Sequence, residues 1–128
     1  MKINNIDITF DYSTVKGSTE LHEKFKKDFI KVCAKVCPDV MVIPYDVGFY
    51  RAYSQPDIIV RCGQKGVLDT VIITPKATLW FDMKTGKNTL QENQKNFIKR
   101  LKEIKGEIRG FKINSIKQGL DLIQDFNA

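Results

Sequence analysis

The segment from Thr78 to Lys84 restricts the fold of this chain more than any other stretch of the sequence. Its apolar residues predict a strand, and alternate side chains of a strand lie on opposite faces of a sheet. Phe81 and Met83 should therefore point into a core, while Asp82 and Lys84 project together from the other face. The sequence thus predicts a carboxylate beside an ammonium group at the end of a buried strand.

Length and charge narrow the classes of protein to which the chain can belong. Its 128 residues are enough for one domain, spanning 1–128, with its own hydrophobic core. No apolar run is long enough to cross a membrane and the N-terminus is unlike a signal peptide, so we expect a cytoplasmic protein. The net charge of +6 favours a polyanionic partner. We expect nucleic acid rather than a membrane, because the basic helices need their apolar faces for the core.

The remaining sequence predicts an α/β fold in which helices flank a mixed sheet, in the order β-α-β-β-β-(β)-β-α-β-α. The first helix should begin at Ser18 or Thr19 and end near Val36. A capping box at 89–92 opens a second helix that ends near Gly106, and another at 115–118 opens the last helix. The predicted strands are 6–12, 40–43, 49–52, 56–61, 67–74, 78–84 and 111–114.

Two aspartates on neighbouring predicted strands, Asp57 and Asp82, are candidate metal ligands. Mg²⁺ prefers oxygen ligands and is commonly held by one or two carboxylates, with water and a phosphate substrate completing its shell. The backbone carbonyl of Met83 would add a further oxygen. Lys84 would hold the attacking water or offset charge at the phosphate, or else only pair with Asp82. A single aspartate at a strand end is usually just solvated, so the prediction of a metal-dependent nuclease depends on the joint arrangement.

Other polar residues have two possible explanations each. Gln94 lies in the apolar stripe of its helix, where an unpaired amide costs roughly 1–3 kcal/mol, so it needs a partner in the active site or on the backbone. Glu20 is either a further metal ligand or a first-turn acid that the helix dipole stabilises. His22 is a candidate general base. The candidate contacts to DNA phosphates, each of which is otherwise a solvated surface charge, are Arg51, Lys87, Lys95 and Lys99, and Thr85 is a further candidate contact to DNA.

Four spaced blocks of the sequence, 47–52, 56–60, 81–87 and 90–97, resemble the virus-type replication-repair nuclease (VRR-NUC) domain of the PD-(D/E)xK superfamily. They follow the family's order within a match from about Thr19 to Ile123. The resemblance implies a restriction-endonuclease-like α-β-β-β-α-β core, here with an extra N-terminal strand and C-terminal helix. It also implies Mg²⁺- or Mn²⁺-dependent cleavage of DNA. Stand-alone bacterial and viral members are homodimers that act on branched DNA such as Holliday junctions, so the resemblance implies these properties and a similar origin.

The resemblance also implies roles for individual residues. Asp57 matches the PD aspartate, Asp82 the (D/E) position, Lys84 the lysine, and Gln94 the glutamine of the following helix. Glu20 matches the acid of the first helix, although the residues around it fit the motif loosely. Asp82 is a departure, since glutamate is usual at its position.

The gap between Asp57 and Asp82 is a further departure, because it is longer than in minimal family members through an insertion at 63–75. Two other functions stay open at this stage: a non-cutting nucleic-acid-binding module on the same fold, and a nuclease for flapped or linear DNA. The set of Asp57, Asp82 and Lys84 favours catalysis, because a binding module has no need to place clustered carboxylates beside phosphate.

Overall fold

The structure is a computed structural model that describes residues 1–44, 48–51, 59–62, 68–104 and 106–128; for 48–51 and 59–62 it describes the backbone alone. A short 3-10 helix covers Tyr12–Thr14. The helices are α1 (Thr19–Val36), α2 (Glu92–Glu103) and α3 (Ile116–Asn127). The strands are β1 (Lys2–Ile3), β2 (Ile6–Asp7), β3 (Met41–Pro44), β4 (Gly48–Arg51), β5 (Ile59–Cys62), β6 (Thr70–Ile73), β7 (Thr78–Met83) and β8 (Ile108–Ile113).

The central sheet has four strands in the order β3-β6-β7-β8. The β3–β6 and β6–β7 pairs are antiparallel, whereas β7 and β8 are parallel and are joined through α2. Two further antiparallel pairs, β1–β2 and β4–β5, form separate two-stranded sheets. These pairings confirm an α/β architecture with a mixed sheet flanked by helices. None of the helices in the described ranges is long and apolar enough to cross a membrane.

The two faces of β7 pack against different helices. Phe81 is fully buried and lies 5.8 Å, between ring centroids, from Phe29 of α1. On the opposite face, Trp80 lies 5.2 Å from Phe97 of α2 in an edge-to-face arrangement. The sheet therefore lies between α1 on one side and α2 on the other, and the side chains at positions 82 and 84 are on the α2 side.

Helix α1 agrees with its prediction. Ser18 is the N-cap, and its hydroxyl accepts a hydrogen bond from the Leu21 amide at 3.1 Å. Phe25, Phe29 and Val32, spaced four and three residues apart, are completely buried against the sheet. Three fully buried apolar side chains on one face anchor the helix, so its first turn has a fixed position relative to β7.

The N-terminal segment differs from the predicted strand over 6–12. Strand β2 ends at Asp7, because the Asp7 carboxylate accepts hydrogen bonds from the amide and hydroxyl of Thr9 and turns the chain. Asp11 then caps the 3-10 helix by accepting from the Ser13 amide at 2.9 Å. Local side-chain bonds to the backbone thus override the alternating pattern of apolar residues.

Other boundaries also differ from those predicted, and β6 covers only Thr70–Ile73 of the predicted strand 67–74. The N-cap of α2 is Gln91, two residues after the predicted cap at Thr89, and the helix ends at Glu103 before Gly106, whose φ is +107°. Strand β8 begins at Ile108, three residues before the predicted start. The predicted strand 56–61 appears as β5 over Ile59–Cys62, while 56–58 lie outside the described residues.

Gly110 on β8 allows α2 to lie close to the sheet. A Cβ atom at this position would stand 2.9 Å from the Ile98 side chain and 3.2 Å from those of Leu101 and Leu68. Contacts of this length require the neighbouring side chains to move. The absence of a side chain at Gly110 therefore sets the distance between α2 and the sheet. The contacts between α2 and the polar residues at positions 82 and 84 depend on that distance.

Gly110→Ala should destabilise the protein. Alanine is favoured over glycine in a strand by roughly 0.5–1 kcal/mol, but overpacking typically costs about 1–3 kcal/mol, so we expect a net loss of unfolding free energy in urea denaturation. Ile98→Ala removes the nearest neighbour and should relieve this overlap. The double variant should therefore lose less stability than the sum of the two single variants; strictly additive losses would contradict the close approach.

Candidate active site

Asp82 is the most buried charged side chain of the site, with 3% of its surface exposed. Its Oδ1 accepts a hydrogen bond from Gln94 Nε2 at 3.3 Å. Its Oδ2 is buried and forms an ion pair with Lys84 Nζ at 2.7 Å, which opposes the rise in the pKa of Asp82 that burial causes. Asp82 is thus an ion-paired carboxylate, and a cation at Oδ2 would have to displace Lys84 Nζ.

Gln94 connects the acidic and basic members of the site. While its Nε2 donates to Asp82, its Oε1 accepts from Lys84 Nζ at 3.3 Å and from the Gln91 amide at 3.0 Å. The amide is oriented correctly for both charges, since its NH₂ group faces the carboxylate and its carbonyl faces the ammonium group. The partner that the sequence required for Gln94 is therefore the Asp82–Lys84 pair, and α2 holds that pair from above the sheet.

A second carboxylate lies beside this pair, and it belongs to Asp69. Asp69 directly precedes Thr70, the residue of β6 that is opposite Phe81, and the charge of Asp69 acts on Asp82. The two Asp69 oxygens accept from the Met83 amide at 3.3 and 3.4 Å. Like charges opposite each other in a sheet are destabilising, so this pairing is a feature that stability alone would not favour.

Sequence reasoning missed Asp69, because 63–75 was treated as an insertion and no proline precedes this aspartate. A signal was nevertheless present. The predicted strands 67–74 and 78–84 are separated by only three residues, 75–77, so they were candidates for a hairpin that aligns Asp69 with the end of the next strand. Asp57, which was predicted to have this role, lies outside the described residues.

The first helix contributes His22 to the site. Its Nε2 lies 2.9 Å from Asp69 Oδ2. The hydrogen bond to Asp69 raises the pKa of His22 above its ordinary value, although burial acts in the opposite direction. Glu20, the predicted acid of this helix, is instead exposed and lines a surface hollow with Glu23 and Lys24.

Burial raises the pKa of Asp82, and the nearby charge of Asp69 raises it further, while Lys84 opposes both effects. Two carboxylates whose charges repel are a suitable place for a cation, which would remove the repulsion between Asp69 and Asp82. The described residues contain no group of three or more His, Cys, Asp or Glu side chains arranged to hold a metal. The pair alone fits Mg²⁺ or Mn²⁺, ions for which water and substrate oxygens complete the coordination.

A cleft of about 350 Å³ adjoins these residues. It lies between the first turn of α1 and the loop that follows β7, and His22, Met83 and Lys84 form part of its wall. Among the residues predicted to contact DNA, Thr85 is buried in this wall, whereas Lys87 and Lys95 are exposed. For Arg51, on β4, the structure describes the backbone alone.

The His22 pKa provides a direct test of this geometry, because the chain has a single histidine and hence one imidazole NMR signal. The raised pKa means that the folded state binds more protons than the unfolded state. The free energy of unfolding should therefore be greatest below pH 6.5 and fall as the pH rises through the folded pKa.

Asp69→Asn should lower the His22 pKa, measured by NMR titration in EDTA, and should remove this fall in stability. Asp121→Asn is the matched control, since Asp121 pairs with Lys117 on α3 and makes no contact with His22. A His22 pKa that is the same in all three proteins would contradict the His22–Asp69 contact.

The chain matches no protein-family model, no curated protein and no solved structure. The VRR-NUC resemblance is therefore supported by the residues of this sequence alone. The evidence for the function of the site is the arrangement of Asp69, Asp82, Lys84 and Gln94 and the cleft beside them.

Proposed function

We propose that the protein is a metal-dependent DNA endonuclease with a PD-(D/E)xK site on a restriction-endonuclease-like fold, related to the VRR-NUC domain. The observation that carries this proposal is the pairing of Asp69 and Asp82 at the end of a β-hairpin, beside Lys84 and Gln94. Two carboxylates and a lysine at this spacing provide cation ligands and a fixed positive charge in one place, which phosphodiester hydrolysis requires.

In this proposal Asp69 takes the role that the sequence resemblance gave to Asp57. Asp69 directly precedes β6, the strand that pairs with β7, and its charge acts on Asp82. The motif then reads Leu68-Asp69 followed by Asp82-Met83-Lys84. This assignment also removes the long gap between the two acidic positions, because Asp69 falls within the segment that was considered an insertion.

Asp69 and Asp82 would hold Mg²⁺ or Mn²⁺, with the Met83 carbonyl as a candidate third oxygen. The bound cation would supply Lewis-acid stabilisation of the phosphate and lower the pKa of the attacking water. Glu20 is exposed in the first turn of α1 and stays a predicted further ligand. His22 orients the Asp69 carboxylate through its Nε2 contact and is the α1 residue nearest to the chemistry.

Lys84 would stabilise negative charge as it develops on the scissile phosphate. In the resting site its Nζ is held by the Asp82 carboxylate and by the carbonyl of Gln94, so it would have to leave Asp82 when a cation and the substrate bind. Gln94 acts as a positioning residue, because it contacts Asp82 and Lys84 together. In this proposal Asp82 and Lys84 neutralise each other in the resting site. When substrate binds, Asp82 would become a cation ligand and Lys84 would contact the phosphate.

The proposed substrate is DNA, and specifically branched DNA such as a Holliday junction, cut by a homodimer. The net charge of +6 and the exposed Lys87 and Lys95 support a polyanionic partner. A two-fold dimer would present two sites to the two-fold symmetry of a four-way junction. The preference for branched DNA follows from the VRR-NUC resemblance.

Purified protein should cleave a labelled four-way junction with Mg²⁺ or Mn²⁺ and not with EDTA. Asp69→Asn, Asp82→Ala and Lys84→Ala should each lower the rate at least about a hundredfold, because each removes electrostatic stabilisation of the transition state. DNA binding, measured in EDTA by gel shift, should persist in all three.

Asp57→Asn and Asp121→Asn are the matched controls and should retain most of the activity. Loss of activity in Asp57→Asn with retention in Asp69→Asn would reverse the assignment of the first carboxylate. Unchanged cleavage by the Asp82 and Lys84 variants would remove the basis for the whole site. Linear, flapped and single-stranded DNA and RNA in the same assay test the preference for branched DNA.

The dimer is tested separately by light scattering at the protein concentration of the cleavage assay. We expect a mass of about twice 14.7 kDa. A monomer mass in the presence and absence of junction DNA would contradict paired cutting by a symmetric dimer, while leaving the assignment of the site intact.

A further inference from the structure

The cleft beside the candidate active site has features that the proposed chemistry does not use. It is formed where the loop after β7 packs against the loop before α1. Gly86 has a φ of +61°, and a Cβ atom there would lie 2.6 Å from the Gly17 backbone nitrogen. The Gly86 amide also donates to the Tyr12 carbonyl at 2.8 Å. These contacts fix the two walls of the cleft relative to each other.

One wall is the N-terminus of an 18-residue helix. In its first turn the Leu21 amide donates to the Ser18 hydroxyl and the His22 amide to the Ser18 carbonyl. The amides of Thr19 and Glu20 have no acceptor among the described residues. Free amides and the positive end of the helix dipole make this terminus attractive to an anion, although such a terminus alone does not define a site.

The opposite wall supplies the second observation. Thr85 is only 2% exposed, yet it lines the cleft and its hydroxyl makes no hydrogen bond with any described residue. A Cβ atom on Gly17 would lie 3.0 Å from Thr85 Oγ1 and 3.1 Å from Asn88 Nδ2. Both polar groups therefore lie beside Gly17 at the start of α1, as does the Thr85 carbonyl oxygen, 3.1 Å from the same Cβ position. The Thr85 hydroxyl is thus a donor on the wall of the cleft that has no partner among the described residues.

The charge around the cleft matches a phosphate group. Lys84 and His22 both line it, and each also contacts one of the two carboxylates of the candidate active site. The cleft is large enough for a phosphate and the adjoining sugar, since its volume is about 350 Å³. Thr85 and Lys84 are adjacent in sequence, so a group bound here would be next to the position of the scissile phosphate.

We propose that this cleft is a second phosphate-binding subsite, which holds a nucleic-acid phosphate next to the one that is cut. The amide of Thr19 and the hydroxyl of Thr85 donate to it, and the Lys84 ammonium group adds positive charge. The phosphate is either a neighbouring internal phosphodiester or the terminal phosphate of a strand. The identity of the ligand as nucleic acid rests on the proposed function, whereas the affinity for phosphate does not.

The test is binding in EDTA of 3′-fluorescein oligonucleotides that carry either a 5′-phosphate or a 5′-hydroxyl, measured by fluorescence anisotropy. Thr85→Val keeps the shape of the side chain and removes its donor, so it should weaken binding by about tenfold. Gly17→Ala should weaken it as well, since a methyl group would enter the cleft. Thr89→Val is the matched control, because Thr89 is exposed in the same loop, and it should bind as the wild type does.

A terminal phosphate and an internal phosphate predict different losses of affinity in the variants. Losses confined to the 5′-phosphorylated strand identify a terminal phosphate, and equal losses on both strands identify an internal one. The amide NMR signal of Thr19 should also shift when inorganic phosphate is added to the wild-type protein. Wild-type affinity in both Thr85→Val and Gly17→Ala, together with an unmoved Thr19 amide signal, would overturn the proposal.

The binding experiment tests the phosphate subsite separately from the proposed endonuclease activity. A protein that binds in this way but does not cut DNA with Mg²⁺ or Mn²⁺ would refute the proposed activity and leave the subsite standing. A protein that cuts DNA and is indifferent to Thr85→Val and Gly17→Ala would refute the subsite alone.

Discussion

The burial of Asp82 beside a second carboxylate is the constraint to which the rest of the site conforms. A charge in a low-dielectric interior is stable only if it is paired or hydrogen-bonded, and here a like charge from Asp69 adds to the cost. Lys84 and Gln94 offset that cost, and both act from the α2 side of the sheet. The absence of a side chain at Gly110, which lets α2 approach, therefore serves the site as well as the packing.

The arrangement uses one set of interactions for two purposes. Without a ligand, Lys84 neutralises Asp82, and Gln94 orders both groups. In the proposed working state a cation would take over the neutralisation of the carboxylates, so Lys84 would be free to face a phosphate. Structure and chemistry thus depend on the same few contacts. Substitutions at Asp82 should therefore alter stability and cleavage together.

Several elements could be predicted from the sequence because their signals are local. Helix α1 has a Ser cap and a regular apolar stripe, and the alternation around Phe81 and Met83 fixed which face of β7 carries Asp82. Gln94 was recognised because a polar amide among core positions requires a partner. The prediction of a strand over 6–12 was wrong for a local reason as well. The Asp7 and Asp11 side chains accept hydrogen bonds from nearby amides and bend the chain.

Asp69 could not be predicted as a site residue from local signals, because its position beside Asp82 depends on which strands pair and in which register. A shift of one residue in the β6–β7 hairpin would turn Asp69 away from Asp82. Pro56-Asp57 fits a familiar motif in sequence, whereas Leu68-Asp69 is meaningful only once the hairpin is known. The contact between His22 and Asp69 is likewise long-range and has no signature in the spacing of residues.

The central claim is that Asp69 and Asp82 hold one divalent cation between them. Diffraction from crystals soaked in Mn²⁺, recorded at an energy where manganese scatters anomalously, tests this most directly. The account predicts an anomalous peak within coordination distance of carboxylate oxygens from both aspartates. Mn²⁺ bound only elsewhere on the protein, with the Asp82–Lys84 pair undisturbed, would contradict it.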